Sequence, residues 1–199
     1  MIGNYRIGIT GTHNAGKSTL VDALSKELEG YPLITEVAAS YCREERQHLA
    51  TQFKIMLAQM REETKHVYFI SDRTVIDNLA YSTLNFEESV SKELDLDVVI
   101  NKMKMFSACL DLERTYITTR PYDLMVFVDE MFPIDENDEK RCPNEKYQWW
   151  IHHFLKGEIG VTSALYRIPV IEVSGPTEKR VELIMKKLEG FGARNPVQC

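Results

Sequence analysis

Apolar residues in this chain alternate between short unbroken runs and stretches spaced by three and four. Tyr5 to Thr10 is a short run with β-branched residues that stops at Gly11, after which Leu20, Leu24 and Leu28 follow Ser18 at helical spacing. This predicts a strand, a glycine-rich loop and a helix. Leu33-Ile34-Thr35, beyond the Gly30-Tyr31-Pro32 break, predicts a second short strand that delivers Glu36 at its C-terminal end. From Ala38 to His66 the chain is rich in Ala, Gln, Glu and Lys without internal Gly or Pro, which predicts one or two helices. Val67 to Ile70 is fully apolar and ends in Ser71-Asp72-Arg73, as a buried parallel strand does. Helical sequence then runs to Tyr116. Leu124 to Val128, ending in Asp129, and Pro169 to Val173, followed by Ser174-Gly175-Pro176, supply two more strands. A charged segment and a Trp-bearing helix lie between them.

Five strands separated by helices predict an α/β class fold: a parallel sheet flanked by helices in three layers, with right-handed crossovers. Ligands of such sheets gather beyond the carboxyl ends of the strands, so Gly11 to Ser18, Glu36, Asp72-Arg73 and Asp129 are expected to converge there. At 199 residues the chain suits one domain. With 44% hydrophobic and 27% charged residues, 7 Pro and 10 Gly, it excludes disordered, collagen-like and disulfide-scaffold classes. A net charge of −6 argues against a surface that grips nucleic acid throughout, while leaving room for a local basic cleft. Cys42, Cys109, Cys142 and Cys199 form no CxxC pair and are expected to be reduced thiols. The N-terminus leads into a strand instead of a signal peptide and no apolar run is long enough to cross a bilayer, so a cytoplasmic protein without membrane contact is expected.

Gly11-Thr12-His13-Asn14-Ala15-Gly16-Lys17-Ser18 fits GxxxxGK[ST] between a strand and a helix, the context that motif requires. Its glycines let successive N–H groups face a phosphate, and the helix N-terminus adds its dipole. Lys17 is expected to reach the outer phosphates of ATP, Ser18 to ligate Mg2+, and Thr19 to complete the nucleotide contact. The bland alternative is a glycine-rich turn that happens to precede a Lys. A GTPase would need NKxD and DxxG; Asn101-Lys102-Met103-Lys104 lacks the Asp and no DxxG occurs.

The phosphate loop, Thr35-Glu36-Val37, the stretch Ser71-Asp72-Arg73-Thr74-Val75-Ile76-Asp77-Asn78-Leu79-Ala80-Tyr81 and Tyr122 to Pro133 together resemble the AAA-type P-loop kinases related to the nicotinamide-riboside kinase domain. Deoxynucleoside and thymidylate kinases share a similar acid-Arg pair. The resemblance covers most of the chain and implies a Mg2+- and ATP-dependent kinase acting on a nucleoside, nucleotide or related small molecule. It makes Lys17, Glu36, Asp72, Arg73 and Arg141 the catalytic set. Asp72 would hold the Mg2+ shell through water, Arg73 would bridge toward phosphate or acceptor, and Glu36 stands where similar nucleoside kinases carry their base.

Each assignment has a plainer reading. Asp72-Arg73 also reads as a local salt bridge at a helix N-terminus, and Glu36 as a capping or solvated acid. Asp77 and Tyr81 share a helical face, to line the acceptor pocket or to anchor the helix to the core. The segment from about 130 to 147 reads as a lid whose Arg141 closes over the phosphate, or as a solvated charge run. Cys142 with His152 and His153 lacks zinc-site spacing, and Trp149 and Trp150 either stack on a base or pack the core. His13 is expected to orient the loop backbone, and Ser174-Gly175-Pro176 to pass near adenine. Two other functions stay open: a kinase whose acceptor is DNA, for example a hydroxymethylated base, and an ATP-controlled regulator without an acceptor. A homodimer is compatible with all three.

Overall fold

In the computed structural model the described residues are 3–41, 48–133 and 144–191. The strands are β1 (Arg6–Thr10), β2 (Leu33–Ile34), β3 (Phe69–Asp72), β4 (Leu124–Val128) and β5 (Val170–Val173). The α-helices among the described residues are α1 (Lys17–Glu27), α2 (Leu49–Thr64), α3 (Val75–Val90), α4 (Leu96–Thr119), α5 (Glu145–Tyr166) and α6 (Thr177–Gly190). The strands form one five-stranded parallel sheet in the order β2-β3-β1-β4-β5. The predicted α/β three-layer architecture is the one observed.

The alternation of side chains along the strands divides the core in two. Ile7, Ile9, Ile70, Leu124, Val126 and Val128 face α1 and α6, where they meet Leu20, Leu24, Ile184 and Leu188. Phe69, Met125 and Phe127 face the other way, against Met56 and Met60 of α2, Ile76 and Ala80 of α3, Ile117 of α4 and Ile151 and Leu155 of α5. Every residue of β3 and β4 is buried, as a central parallel strand requires.

The stretch after β2 holds a tight turn at Val37–Ser40 and α2 at Leu49–Thr64, with 42–47 outside the described residues. Two boundaries differ from the sequence expectation. The helical sequence before Tyr116 is broken at Ser91 to Asp95, where the Asp95 carboxylate caps α4 by accepting from the amides of Asp97 and Val98. β3 starts at Phe69 because Val67, 72% exposed, lies outside the sheet. Among the described residues no helix is long and apolar enough to cross a membrane.

Candidate active site

β1 ends at Thr10, and the next residues leave the sheet through backbone that only a few residue types adopt. Gly11 has φ +149°, and a Cβ there would sit 2.9 Å from the Val128 carbonyl oxygen, so the loop passes β4 too closely for any side chain. Asn14 (φ +58°) and Gly16 (φ +83°) supply the left-handed steps that curl the loop onto the start of α1 at Lys17. Lys17 is buried, and its Nζ donates to the Thr12 carbonyl at 2.7 Å. Burial, then the Arg73 charge, lower its pKa to about 8, against the pull of Asp77, Asp72 and Glu36.

Ser18, the second residue of α1, donates through Oγ to Asp72 Oδ2 at 2.6 Å, joining the phosphate loop to the end of β3. Asp72 Oδ1 is buried and has no hydrogen-bond partner among the described residues. A hydroxyl oxygen beside a carboxylate with an unanswered oxygen is a hard oxygen donor set, and it fits Mg2+ at the mouth of the loop. Thr19 is exposed on the next position of α1.

Arg73 follows Asp72 with φ +97°, far from where a non-glycine residue rests comfortably. Its Nε donates to Glu36 Oε1 at 2.7 Å and its Nη1 lies 3.4 Å from Asp77 Oδ1, with the guanidinium carbon 5.3 Å from the Tyr81 ring centre. Burial opposes the Arg73 charge, but Glu36, Tyr81, Asp77 and Asp72 outweigh it and raise its pKa further. Asp77, fully buried, also accepts from the Thr74 amide (2.8 Å) and hydroxyl (2.9 Å), completing a reciprocal cap of α3. Tyr81 reaches His13 Nδ1 at 3.3 Å through its hydroxyl, and Tyr147 of α5 stands beside both rings. Burial raises the Tyr81 pKa while Arg73 draws it down.

The structure thus gathers Lys17, Ser18, Glu36, Asp72, Arg73, Asp77, Tyr81 and His13 around one loop. Asp77 addresses this group from beneath, through Arg73 and the helix cap. Asp129 is drawn aside: His152 Nε2 (2.9 Å) and Lys156 Nζ (2.8 Å) hold its two oxygens. Trp150 stacks on Phe154 against the core, whereas Trp149 is exposed and stacks on His153. Among the described residues no group of three or more His, Cys, Asp or Glu is arranged to hold a metal ion by itself. Arg141 and Cys142 lie outside the described residues, as does most of the expected lid.

Several residues that build the site carry no motif. Gln148 of α5 donates to the carbonyls of His13 (3.0 Å) and Phe132 (3.1 Å), while its own carbonyl accepts from Thr12 Oγ1 at 3.2 Å. Asn14 Nδ2 reaches the Phe132 and Pro133 carbonyls at 3.2 and 2.6 Å, so the chain leaving β4 is fastened to the phosphate loop. Arg180 of α6 donates to the carbonyls of Gly175 (2.6 Å) and Ala15 (3.3 Å), which places Ser174-Gly175-Pro176 beside the same loop. Only Gln148, following an Asn144 cap at the start of a helix, had a local signal of being near a loop end.

The chain matches the AAA-domain family over residues 6–180. It belongs to that family. No curated protein sequence matches this AAA-domain chain. Solved structures share its fold. A deoxyadenosine kinase from M. mycoides with bound dATP has a TM-score of 0.65 at 19% identity, over 92% of this chain and 99% of that one. A thymidylate kinase from Candida albicans has a TM-score of 0.65 at 17% identity, over 100% of this chain and 98% of that one. NadR protein in complex with NAD and AMP-PNP has a TM-score of 0.67 at 16% identity, over 98% of this chain but 52% of that one, so this chain spans about half of NadR. At these identities the likeness is one of fold, that of P-loop kinases.

Proposed function

We propose that this AAA-domain protein is a Mg2+- and ATP-dependent kinase that transfers the γ-phosphate of ATP to a hydroxyl or phosphate of a nucleoside, nucleotide or related small molecule. The observation that carries the reading is the Arg73 guanidinium, fixed between Glu36 and Asp77 at the end of the strand beside the phosphate loop. A buried guanidinium with a carboxylate beside a phosphate loop suits phosphoryl transfer, because charge spreads over the transferring oxygens while the acceptor must be held in line.

Within that reading, Lys17 exchanges its bond to the Thr12 carbonyl for the outer phosphates. This exchange is within reach of one flexible side chain. Ser18 and Asp72 would hold Mg2+, which would supply positive charge to offset that of the phosphates. Arg73 steadies charge as it builds on the transferring group. Glu36 orients the acceptor, since a carboxylate oxygen accepts a hydrogen bond from an acceptor hydroxyl. Tyr81 and His13 wall the acceptor side and exclude water, which would otherwise turn transfer into hydrolysis. Residues 1–199 are read as one domain, and the expected role of Arg141 over the phosphate falls on residues outside those described. ATP and such acceptors meet in the cytoplasm, where we place the protein.

The test is ADP release by the purified protein with Mg-ATP against nucleosides, nucleoside monophosphates, nicotinamide riboside and DNA carrying hydroxymethylated bases. Stimulation by a small acceptor is the expected result. Stimulation by DNA alone would replace the acceptor class, and a flat panel with tight ATP binding would replace catalysis by nucleotide-controlled regulation. A folded Lys17→Ala variant with full transfer activity would overturn the assignment of the loop.

A further inference from the structure

Beneath the Asp72–Arg73 corner lies a second polar cluster, on the face of the sheet turned away from α1, that the phosphate site does not use. Its centre is Glu63 of α2, which is completely buried. Glu63 Oε2 accepts from the Tyr116 hydroxyl at 2.6 Å, and Oε1 accepts from the Tyr122 hydroxyl at 2.9 Å and from Gln59 Nε2 at 2.8 Å. Two phenols and an amide all donating inward are the partner set of a carboxylate. Arg120 closes the cluster from α4's end, its Nη2 donating to the carbonyls of Glu63 (3.2 Å) and His66 (2.8 Å). Burying a carboxylate is expensive even when it is this well satisfied, and apolar side chains of equal volume would pack the same space more cheaply. Such a group calls for a role other than stability.

Two routes lead from Glu63 to the catalytic corner. Gln59 Nε2 lies 2.7 Å from Ser71 Oγ and 3.4 Å from the Arg73 carbonyl oxygen, so the amide that Glu63 orients also grips the last turn of β3. Tyr122, by giving its proton to Glu63, turns its oxygen lone pairs toward the Val75 amide and accepts that N–H at 3.2 Å. Val75 is the first residue of α3. Between these two anchors stands Arg73 with φ +97°, its own N–H given to the Ile9 carbonyl at 2.9 Å. A non-glycine residue in such backbone is strained and persists only where its surroundings over-determine it. The Glu63 cluster is positioned to do that, because it fixes the chain on both sides of Arg73.

We propose that Glu63 is a positioning residue for phosphoryl transfer: by orienting Gln59 and Tyr122 it holds the Arg73 to Val75 corner so that the Arg73 guanidinium spans Glu36 and Asp77. The proposal rests on the kinase reading above, in that it gives the held geometry a reaction to serve. Glu63 touches neither nucleotide nor acceptor; it acts through the backbone of the residue that does.

The test is Glu63→Gln in the full chain, with Tyr122→Phe as a second variant should the first fail to fold. Glutamine keeps the volume but presents an amide donor where donors already point, so either Tyr116, or Tyr122 and Gln59 together, face a donor in place of an acceptor. Two readouts are needed. The first is the 15N NMR signal of the Arg73 Nε–H group, identified by its loss in Arg73→Lys. Held against Glu36 at 2.7 Å, this proton should be protected in the wild-type protein. It should lose protection and broaden in Glu63→Gln and in Tyr122→Phe. The second is steady-state transfer: kcat should fall on the order of tenfold to a hundredfold, as misplacement of a catalytic group predicts, while KM for Mg-ATP stays within about twofold because the phosphate loop is untouched. A purely structural Glu63 would lower the melting temperature but leave the Arg73 signal and kcat per folded molecule unchanged, which would overturn the proposal. Should the wild-type protein transfer phosphate to no acceptor, the kinase reading fails, and the NMR signal alone decides whether Glu63 holds Arg73.

Discussion

Asp77 is the residue at which the fold and the site are most tightly joined, and Asp77→Asn separates them. The carboxylate is completely buried; Oδ2 accepts from the Thr74 amide at 2.8 Å and hydroxyl at 2.9 Å, and Oδ1 lies 3.4 Å from Arg73 Nη1. An asparagine can keep its carbonyl toward Thr74, preserving most of the cap of α3, but its amide then faces the guanidinium as donor against donor. Arg73 retains Glu36 at 2.7 Å, so its charge is not left wholly unpaired, and the loss falls below that of a broken buried ion pair. One charge-assisted hydrogen bond replaced by a mild repulsion amounts to about 2–4 kcal/mol. For a domain of this size that is a fall in melting temperature of roughly 4–16 °C. Urea unfolding measures it, together with a double-mutant cycle in which Arg73→Met is combined with Asp77→Asn. The coupling between the two should be on the order of 2 kcal/mol, since removing both partners leaves neither charge stranded. A shift under about 0.5 kcal/mol, the size expected at an ordinary surface position, would refute the placement of Asp77. A cycle with no coupling would refute the ion pair.

Gly8→Ala should destabilise the protein by about 1–3 kcal/mol, because a Cβ there would stand 2.6 Å from Thr74 Cγ2 and 3.1 Å from the Tyr122 ring; a calorimetric melting temperature equal to that of the wild type would contradict this. Asp72→Asn keeps a hydrogen-bond acceptor for Ser18 but loses the charge beside it, so the Mg2+ concentration that half-saturates binding of an ATP analogue should rise on the order of tenfold, and an unchanged titration would remove Asp72 from the metal shell. Burial pushes the Glu63 carboxyl up to about 7, opposed by hydrogen bonds from Gln59, Tyr116 and Tyr122 and by the Arg120 charge. A carboxyl whose pKa is higher in the folded state binds more protons there, so its contribution to stability is present below about pH 4.5 and is lost as pH rises through about 7, by an amount of about 3 kcal/mol. The difference in urea midpoint between wild type and Glu63→Gln should therefore move in favour of Glu63→Gln from pH 5 to pH 8 by about that much; a pH-independent difference would show that the group does not titrate in that range. Lys17 works in the opposite sense, its pKa depressed to about 8, so its burial costs most at neutral pH and is relieved as pH rises toward 10.5.

What the sequence discloses about this molecule is what neighbours along the chain decide. β1, the phosphate loop and the start of α1 are legible because glycine spacing, a β-branched run and a helical repeat occur within one short stretch. β4 is legible for the same reason: five buried residues in a row leave no helical alternative beside Asp129. Even the pairing of Asp77 with Tyr81 on one face follows from spacing. That Asp77 would also cap its own helix depends only on Thr74, three residues earlier, and was open to the same arithmetic. The boundary at Val67 is not legible because an apolar run carries no mark of where the neighbouring strands begin to pair; β1 pairs with β3 from Phe69 onward and β2 from Ile70.

The supporting residues were invisible for a different reason. Gln59 and Glu63, four apart on α2, look like an ordinary polar helical pair, and nothing near them announces that both are buried. Their meaning comes from Tyr116 and Tyr122, 53 and 59 residues further on. Arg180 meets the Ala15 carbonyl across 165 residues, and Gln148 meets the His13 carbonyl across 135. A phosphate loop needs only its own backbone to be recognised, but it is fastened by groups from α5 and α6, and the corner at Ser71 to Arg73 is fastened by Gln59 of α2. The residues of the glycine-rich loop are thus written as a local pattern, whereas those that fix their positions are chosen by packing between distant segments. This is why a strained Arg73 is the more informative observation: its backbone records, at one residue, the combined constraint that no stretch of sequence displays.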